Sequence, residues 1–343
     1  MQYSRKLTGE QKEDNIMRKI KWGVLGTAFI CERSTIPGML LADNCEMYAI
    51  AGRNPEKAQQ FKEKYGFQKA YGSYAQLLDD PEVEAVYIPL PNTLHYEWTI
   101  QALKRGKHVL CEKPLAPTEA QAKEMFAAAE ENHVYLMEAF AYQHSPYIAA
   151  IRSEIEKGTI GDVRYMQTTF ITSDYNERNI RMRRDTCGGC TYDLGVYKTS
   201  LILRLLGDEP VNIRAIASFS DAKIDVLTSA ILEYADGKKA ALTCGMALAT
   251  DRDRHIDSFE IQGTRGSIRG ERFEFNGDGE LSYTITSFDG GEETKTVSVP
   301  QNYRLEVEQM GRCVLGLETP AVTKEFSLAN ARIIDGVLKE INY

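Results

Sequence analysis

No apolar run in this chain reaches the roughly 18 residues that a membrane-spanning helix needs, so no membrane anchor is expected. Net positive charge is missing too: 41 Lys and Arg stand against 49 Asp and Glu, a formal charge of −8. A chain of that sign has no overall field to recruit nucleic acid or anionic lipid, and neither is expected as a partner. The densest local exception is "RMRR", Arg181–Arg184, which reads equally well as a solvated loop paired with nearby acids and as a functional patch. The opening stretch, "MQYSRKLTGEQKEDNIMRK", lacks the apolar core of a signal peptide and is expected to form a polar arm over 1–18. Seven cysteines, an odd number scattered among apolar neighbours, do not make a secreted disulfide framework. They favour reduced thiols in a cytoplasmic protein. Cys187 and Cys190 form "CGGC", but no second pair stands at the spacing of a structural zinc site, and a redox pair normally opens a helix after a strand. No metal is expected. Internal repeats and low-complexity tracts are absent as well.

What the chain does have is length and alternation. Its 343 residues exceed one usual hydrophobic core, so two domains are expected. From Ile20 to about Phe140, strand-like apolar runs alternate with helical segments. "IKWGVLG", "CEMYAIAGR", "EAVYIPLP", "KHVLCEKP" and "VYLMEAF" read as five strands. "TAFICERSTIPGMLLA" reads as helical in its first half, and "NPEKAQQFKEKYG" as a helix opened by Asn-Pro and stopped at Gly66. "SYAQLLDDPEV", "TLHYEWTIQALKRG" and "TEAQAKEMFAAAEENH" are the remaining helices. This order predicts a parallel, doubly wound sheet over 19–143. After the helix "SPYIAAIRSEIEKGTIG" the pattern changes to long polar–apolar alternations such as "VRYMQTTFITS", "VNIRAIASFS" and "LSYTITSF". The Asp-Gly inside "ADGKKA" predicts a hairpin turn. The second half, 144–343, is therefore expected to be an α/β domain. Its sheet should be mostly antiparallel and open on one face, with "CTYDLGVYKTSLILRLLG" and a C-terminal helix over about 327–343.

A strand, a tight turn and a helix at the start of a doubly wound sheet make a pyrophosphate site, because the backbone N–H groups and the helix dipole both favour phosphate. The G-x-G-x-x-G/A fingerprint is met here by Gly26–Thr27–Ala28–Phe29–Ile30–Cys31, with only the first glycine in place. At the end of the second strand, NAD sites usually carry Asp or Glu for the ribose hydroxyls, whereas NADP sites drop the acid and supply an arginine for the 2′-phosphate. This chain has Gly52 and then Arg53, so NADP(H) is expected in preference to NAD(H). The strand "HVLC" then delivers Glu112 and Lys113 to the carboxyl end of the sheet, where ligands bind. Pro114 stops the ladder and turns the chain; a cis bond there would aim the lysine sharply.

These stretches, together with "YIPLPNTLHYEWTIQALKRGKHVLCEKPLA", "LMEAFAYQHSP", "GTIGDVRYM" and "GGCTYDLGVY", resemble the Gfo/Idh/MocA family of oxidoreductases. The resemblance spans from about residue 20 to the end. It implies an N-terminal Rossmann domain, a C-terminal α/β domain that serves substrate binding and oligomer contacts, and nicotinamide-dependent chemistry on a sugar-like alcohol or ketone. By the same resemblance Lys113 is the catalytic lysine and Glu112 lies beside the cofactor ribose. Leu90, Pro91, Asn92 and His95 would line the adenosine–ribose side, Met137 and Glu138 would lie near the nicotinamide, and Arg181 would contact cofactor or substrate. The second family motif reads Gly188–Gly189–Cys190–Thr191–Tyr192–Asp193–Leu194–Gly195–Val196–Tyr197. That assigns the "CGGC" glycines to a loop. With Tyr rather than His at its end, the chain resembles the tyrosine-type branch that includes dimeric dihydrodiol dehydrogenase and anhydrofructose reductase. A homodimer or homotetramer is the family-level expectation.

Asp193 and Tyr197 are four apart on one helix and so share a face. Hydride transfer to or from a carbinol carbon needs an acid/base for the hydroxyl proton, and Tyr197 is the candidate. A free phenol titrates near pH 10, so it needs a neighbouring cation to act near neutrality; Lys113 is expected to supply it. Asp193 is expected to bind substrate hydroxyls, and Tyr175, Arg183 and His255 are further substrate-side candidates. Two other readings stand beside this one: transient oxidation of a glycoside ring carbon by a retained cofactor, and a regulatory protein that binds cofactor without chemistry.

Overall fold

The computed structural model describes residues 18–173, 175–176, 178–248, 255–270 and 278–343. The polar arm expected over 1–18 lies outside them except for Arg18. By the density of contacts the chain divides into two compact units: Met1–Leu115 with Ala120–His144 and Pro300–Lys324, and Ala116–Glu119 with Ser145–Val299 and Glu325–Tyr343.

The first unit holds six strands: β1 (Ile20–Leu25), β2 (Cys45–Ala51), β3 (Lys69–Tyr71), β4 (Ala85–Ile88), β5 (His108–Glu112) and β6 (Leu136–Ala139). They pair in the order β3-β2-β1-β4-β5-β6, and every pairing is parallel. Strand order reverses between β1 and β4, which is where such sheets bind ligands. The central strands are buried along nearly their whole length, which is why they read as unbroken apolar runs rather than alternations. The edge strand β3 has three residues, too few to show a period, and was not expected from the sequence.

The helix after β1 runs further than expected. A π-helical turn, Cys31–Thr35, leads into α1 (Ile36–Leu41). Ile36 N–H donates to Cys31 O across the wider turn, and Pro37 follows at the head of α1, where a missing N–H costs little. Gly38 then lets another helix approach: a Cβ there would stand 2.7 Å from the backbone of Tyr303 and Arg304. The next helix, α2 (Pro55–Tyr65), has the expected ends. Asn54 accepts from Lys57 N–H at 2.9 Å, and Gly66 takes a left-handed φ of 77°. Helices α3 (Tyr74–Leu78), α4 (Asn92–Leu103) and α5 (Glu119–Glu131) follow.

The second unit opens with α6 (Pro146–Glu156) and β7 (Val163–Ser173). A second π-helical turn, Thr191–Gly195, runs into α7 (Val196–Leu206). Then come β8 (Asn212–Phe219), β9 (Asp225–Glu233), β10 (Lys239–Leu248), β11 (Ile256–Gly263), β12 (Gly266–Gly270), β13 (Gly279–Ser287) and β14 (Glu292–Val299). These eight strands pair as β14-β13-β12-β11-β7-β10-β9-β8. All pairings are antiparallel except β7 with β10. The hairpin expected at "ADGKKA" joins β9 to β10, with Gly237 at φ 86°.

Two later helices complete the chain, α8 (Asn302–Val314) and α9 (Lys324–Glu340). The sequence reading foresaw only the second. The structure places α8 with the first unit, against α1, whereas a single cut between 143 and 144 would have given it to the second. Among the described residues no helix is long and apolar enough to cross a membrane.

Candidate active site

Gly26 ends β1 at φ 140°, a conformation that side-chain-bearing residues rarely adopt. The chain then passes through Thr27 and Ala28 to Phe29 and Ile30, where the helix begins. Cys31, at the position of the fingerprint's last glycine, is fully buried, and burial pushes its thiol up to about 12. It packs as a small apolar residue. Phe29 points outward and is 72% exposed. Lys57 Nζ donates to Thr27 O at 2.8 Å, which sets an ammonium beside the turn. A Cβ on Gly52, just past β2, would lie 3.4 Å from Thr27 Cγ2. The two strand ends therefore abut, and the exposed Arg53 follows directly, with its guanidinium acting on the Tyr74 phenol. The Lys57 and Arg53 cations, the lack of a carboxylate at residues 52–53 and a turn opened by a glycine fit the phosphates of a dinucleotide.

Leu90, Pro91 and Asn92 are half-buried between β4 and α4. His95 differs from its expected role of lining the cofactor, because its side chain has no accessible surface. Its Nδ1 lies 2.8 Å from Pro114 O and its Nε2 2.7 Å from Leu90 O. The imidazole braces the loop after β4 against the turn after β5, and burial lowers its pKa. Glu138 on β6 is buried too and accepts the Leu115 N–H at 2.9 Å, and the neighbouring Met137 is fully buried. His95 and Glu138 thus grip opposite edges of the Pro114–Leu115 peptide unit. The Lys113–Pro114 bond is cis, as the turn suggested. Glu112 and Lys113, at the carboxyl end of β5, are both half-buried. One Glu112 oxygen accepts from the Tyr87 hydroxyl at 2.6 Å.

The second unit builds its own cluster around the π-helical turn. Asp225, buried at the start of β9, accepts from Thr191 N–H at 2.8 Å and from the Thr191 hydroxyl at 2.6 Å, with the Cys190 thiol 3.1 Å away. It caps the helix that carries Asp193 and Tyr197. The paired glycines follow from this packing. A Cβ on Gly188 would meet Arg181 O at 2.4 Å, and one on Gly189 would meet Asp225 Oδ1 at 1.9 Å. The Tyr343 hydroxyl donates to Gly188 O at 2.6 Å. "CGGC" is therefore a packed loop.

Arg181, expected to contact cofactor or substrate, belongs to this second unit. Its Nε donates to Asp193 Oδ2 at 2.7 Å, and its guanidinium lies 5.3 Å from the Tyr175 ring centre. Asp193 pushes the arginine's pKa further up, and Tyr175 and Tyr197 act on it in the same sense. The Tyr197 ring meets Phe170 edge-on at 6.1 Å, and His255 meets the same ring at 6.1 Å. The rest of "RMRR" is absorbed locally: Arg183 pairs with Asp185, and Arg184 donates to Lys223 O while covering the Tyr343 ring. Sequence reasoning missed Tyr87 and Asp225, and it missed Lys198, a fully buried lysine bonded to Asp257 at 2.6 Å. Tyr87 stands alone as a polar tip in an aliphatic strand, and Lys198 as a charge in the apolar run of α7. Those are the signals each offered.

Comparison with known proteins agrees with this geometry. Residues 20–140 match the Gfo/Idh/MocA model described as an oxidoreductase family with an NAD-binding Rossmann fold, and residues 148–269 match a Gfo/Idh/MocA C-terminal domain. The chain is 34% identical to D-xylose 1-dehydrogenase (NADP(+)) 2 of Haloferax volcanii, over 92% of this chain and 95% of that protein. It is 30% identical to trans-1,2-dihydrobenzene-1,2-diol dehydrogenase of Xenopus laevis, over 94% and 98% of the two chains. A 3-ketoreductase from Actinomadura kijaniata, solved with NADP and TDP-benzene, superposes with a TM-score of 0.88 at 31% identity, covering 94% of this chain and 98% of that one. With a glycine turn at the head of a parallel sheet and both family models matched in order, the chain belongs to the Gfo/Idh/MocA family of oxidoreductases with an NAD-binding Rossmann fold.

Proposed function

We propose that this enzyme transfers hydride between NADP(H) and a carbinol or ketone carbon of a sugar, polyol or glycoside. The observation that carries the cofactor choice is Arg53 standing past β2 where an acid would be needed for NAD. The NADP-bound 3-ketoreductase and the NADP-dependent xylose dehydrogenase support it. The cofactor, when bound, donates or accepts the hydride at its nicotinamide ring.

In this reading the first unit contributes Gly26, Thr27, Ala28, Phe29 and Ile30 around the pyrophosphate and Arg53 at the 2′-phosphate. Leu90, Pro91 and Asn92 line the ribose, and Glu112 and Lys113 serve the reactive end. Lys113 donates a hydrogen bond to the substrate oxygen. The second unit contributes Tyr197, which exchanges the hydroxyl proton, and Asp193, which orients substrate hydroxyls. Arg181 stabilises the Tyr197 phenolate from within the same unit, a task the sequence reading had given to Lys113 alone. Nearby Tyr175, Arg183 and His255 tune which sugar is accepted. The exposed Ile216 and Ile231, on neighbouring strands β8 and β9, are covered by a second copy in a homodimer or homotetramer.

The test is nicotinamide absorbance with NADP and with NAD across aldoses, polyols and glycosides. Lys113→Met and Tyr197→Phe should each lower turnover by about 10²- to 10⁴-fold with cofactor binding retained. Near-normal turnover in both variants would sink the scheme.

A further inference from the structure

Tyr87 lies in the middle of β4 with no accessible surface, flanked by Val24 of β1 and Leu110 of β5. Packing alone would be met by phenylalanine. Its hydroxyl, however, links two segments far apart in sequence. Thr35, buried at the end of the first π-helical turn, donates its hydroxyl to Tyr87 Oη at 2.8 Å. Tyr87 in turn donates to Glu112 Oε1 at 2.6 Å, and the other Glu112 oxygen lies 3.3 Å from Lys113 N–H. A threonine in a helix normally bonds back to its own preceding turn; this one reaches across to a strand.

We infer that Tyr87 is a positioning residue for the dinucleotide site, holding the Glu112 carboxylate in register with the helix that follows the glycine turn. This rests on the proposed place of Glu112 beside the cofactor. The helix that starts at the proposed pyrophosphate turn and the strand end proposed to meet the reactive half are separate segments of the first unit. The relay ties them by two hydrogen bonds, one of them to a charged acceptor and so among the stronger kind. Burial, with Glu112 beside it, pushes the phenol well above its ordinary range, so it stays a neutral donor throughout the working pH range. Glu112 Oε1 is thereby held by a donor that does not titrate. Losing that donor removes one of the hydrogen bonds that fix the carboxylate's orientation toward the ribose.

The experiment is a double-mutant cycle on NADPH affinity, measured by fluorescence titration of the full chain. Tyr87→Phe should weaken NADPH binding roughly tenfold, as expected for losing a charge-assisted hydrogen bond. Thr35→Val, which removes only the outer bond, should weaken it by a smaller factor. In a Glu112→Gln background Tyr87→Phe should add less than about twofold, because the group it positions is gone. An unchanged NADPH affinity in Tyr87→Phe, with Glu112→Gln clearly weakened, would overturn the inference alone. Equal losses from Tyr87→Phe with and without Glu112 would also overturn it, as plain structural damage. Glu112→Gln binding like the parent would overturn the placement of Glu112 and the relay with it.

Discussion

The guanidinium of Arg181 is bonded to the Asp193 carboxylate at 2.7 Å and leans on the ring of Tyr175. Asp193 is thus held by an arginine twelve residues upstream, across a loop whose turn is closed by two glycines. Arg181→Gln removes the charge that faces Tyr197 and leaves a largely buried carboxylate without its ion pair. Turnover should fall by about 10- to 100-fold, in line with about 1.5–3 kcal/mol for a charge-assisted hydrogen bond. NADPH affinity should hold within about twofold, since in the proposed reading Arg181 serves Asp193 and Tyr197 rather than the cofactor. A variant that loses cofactor affinity first would return Arg181 to the cofactor. Steady-state kinetics with a parallel binding titration separates the two.

Arg53 should decide between the two nicotinamide dinucleotides. Arg53→Ala removes the cation expected at the 2′-phosphate, so the Kd for NADPH should rise by about tenfold or more while that for NADH changes little. Adding Gly52→Asp should favour NADH outright. Equal losses for both cofactors would place Arg53 elsewhere.

Lys198 and Asp257 make a stability prediction. Both side chains are buried, 0% and 5% exposed, and the ammonium also sits 5.1 Å from the Phe170 ring centre. Lys198→Met alone strands the Asp257 carboxylate and should cost about 3–5 kcal/mol, whereas Lys198→Met with Asp257→Leu should recover most of that loss. Denaturant titration of the single and double variants reads the difference. A double variant as unstable as the single one would show that the pair does more than satisfy its own charges.

His108 should make stability depend on pH. Burial depresses its pKa to about 4, with Glu84 opposing and Arg18 assisting. Its Nδ1 accepts the Tyr135 N–H at 3.0 Å, so the neutral ring is the form the fold uses. The unfolded chain takes up this proton near pH 6.5 and the folded chain only near 4. Between those values the unfolded state binds more protons, so stability falls as pH drops through that window. His108→Gln should flatten the slope of Tm against pH there. An unchanged slope would assign the acid sensitivity to other groups.

The doubly wound half was legible because its strands are buried on both faces and its helices carry their own end signals, as Asn54 and Gly66 do for α2. The open sheet was legible from its alternation. What escaped notice lacked a local signature. Strand β3 is three residues long, and α1 continues through Pro37 and Gly38 because a preceding π turn and a neighbouring helix make room for both. At the site, residue types were readable but roles were not. His95 faces inward to two backbone carbonyls, and Arg181 answers Asp193, twelve positions away. Asp225 caps a helix from thirty-four residues downstream. Such partnerships are set by the tertiary fold, and no period or spacing in the chain announces them.

Helix α8 bears on how this enzyme can be dissected. It comes from near the end of the chain, yet its backbone at Tyr303 and Arg304 fills the notch left by Gly38, and Asn44 donates to Glu308 O at 2.8 Å. A gene fragment stopping at residue 143 would therefore encode a nucleotide-binding module with one wall missing, its α1 flank laid bare. Anyone wanting that module alone would have to splice the segment 300–324 back on through a designed linker. The chain closes its first unit only after most of the second has been synthesised.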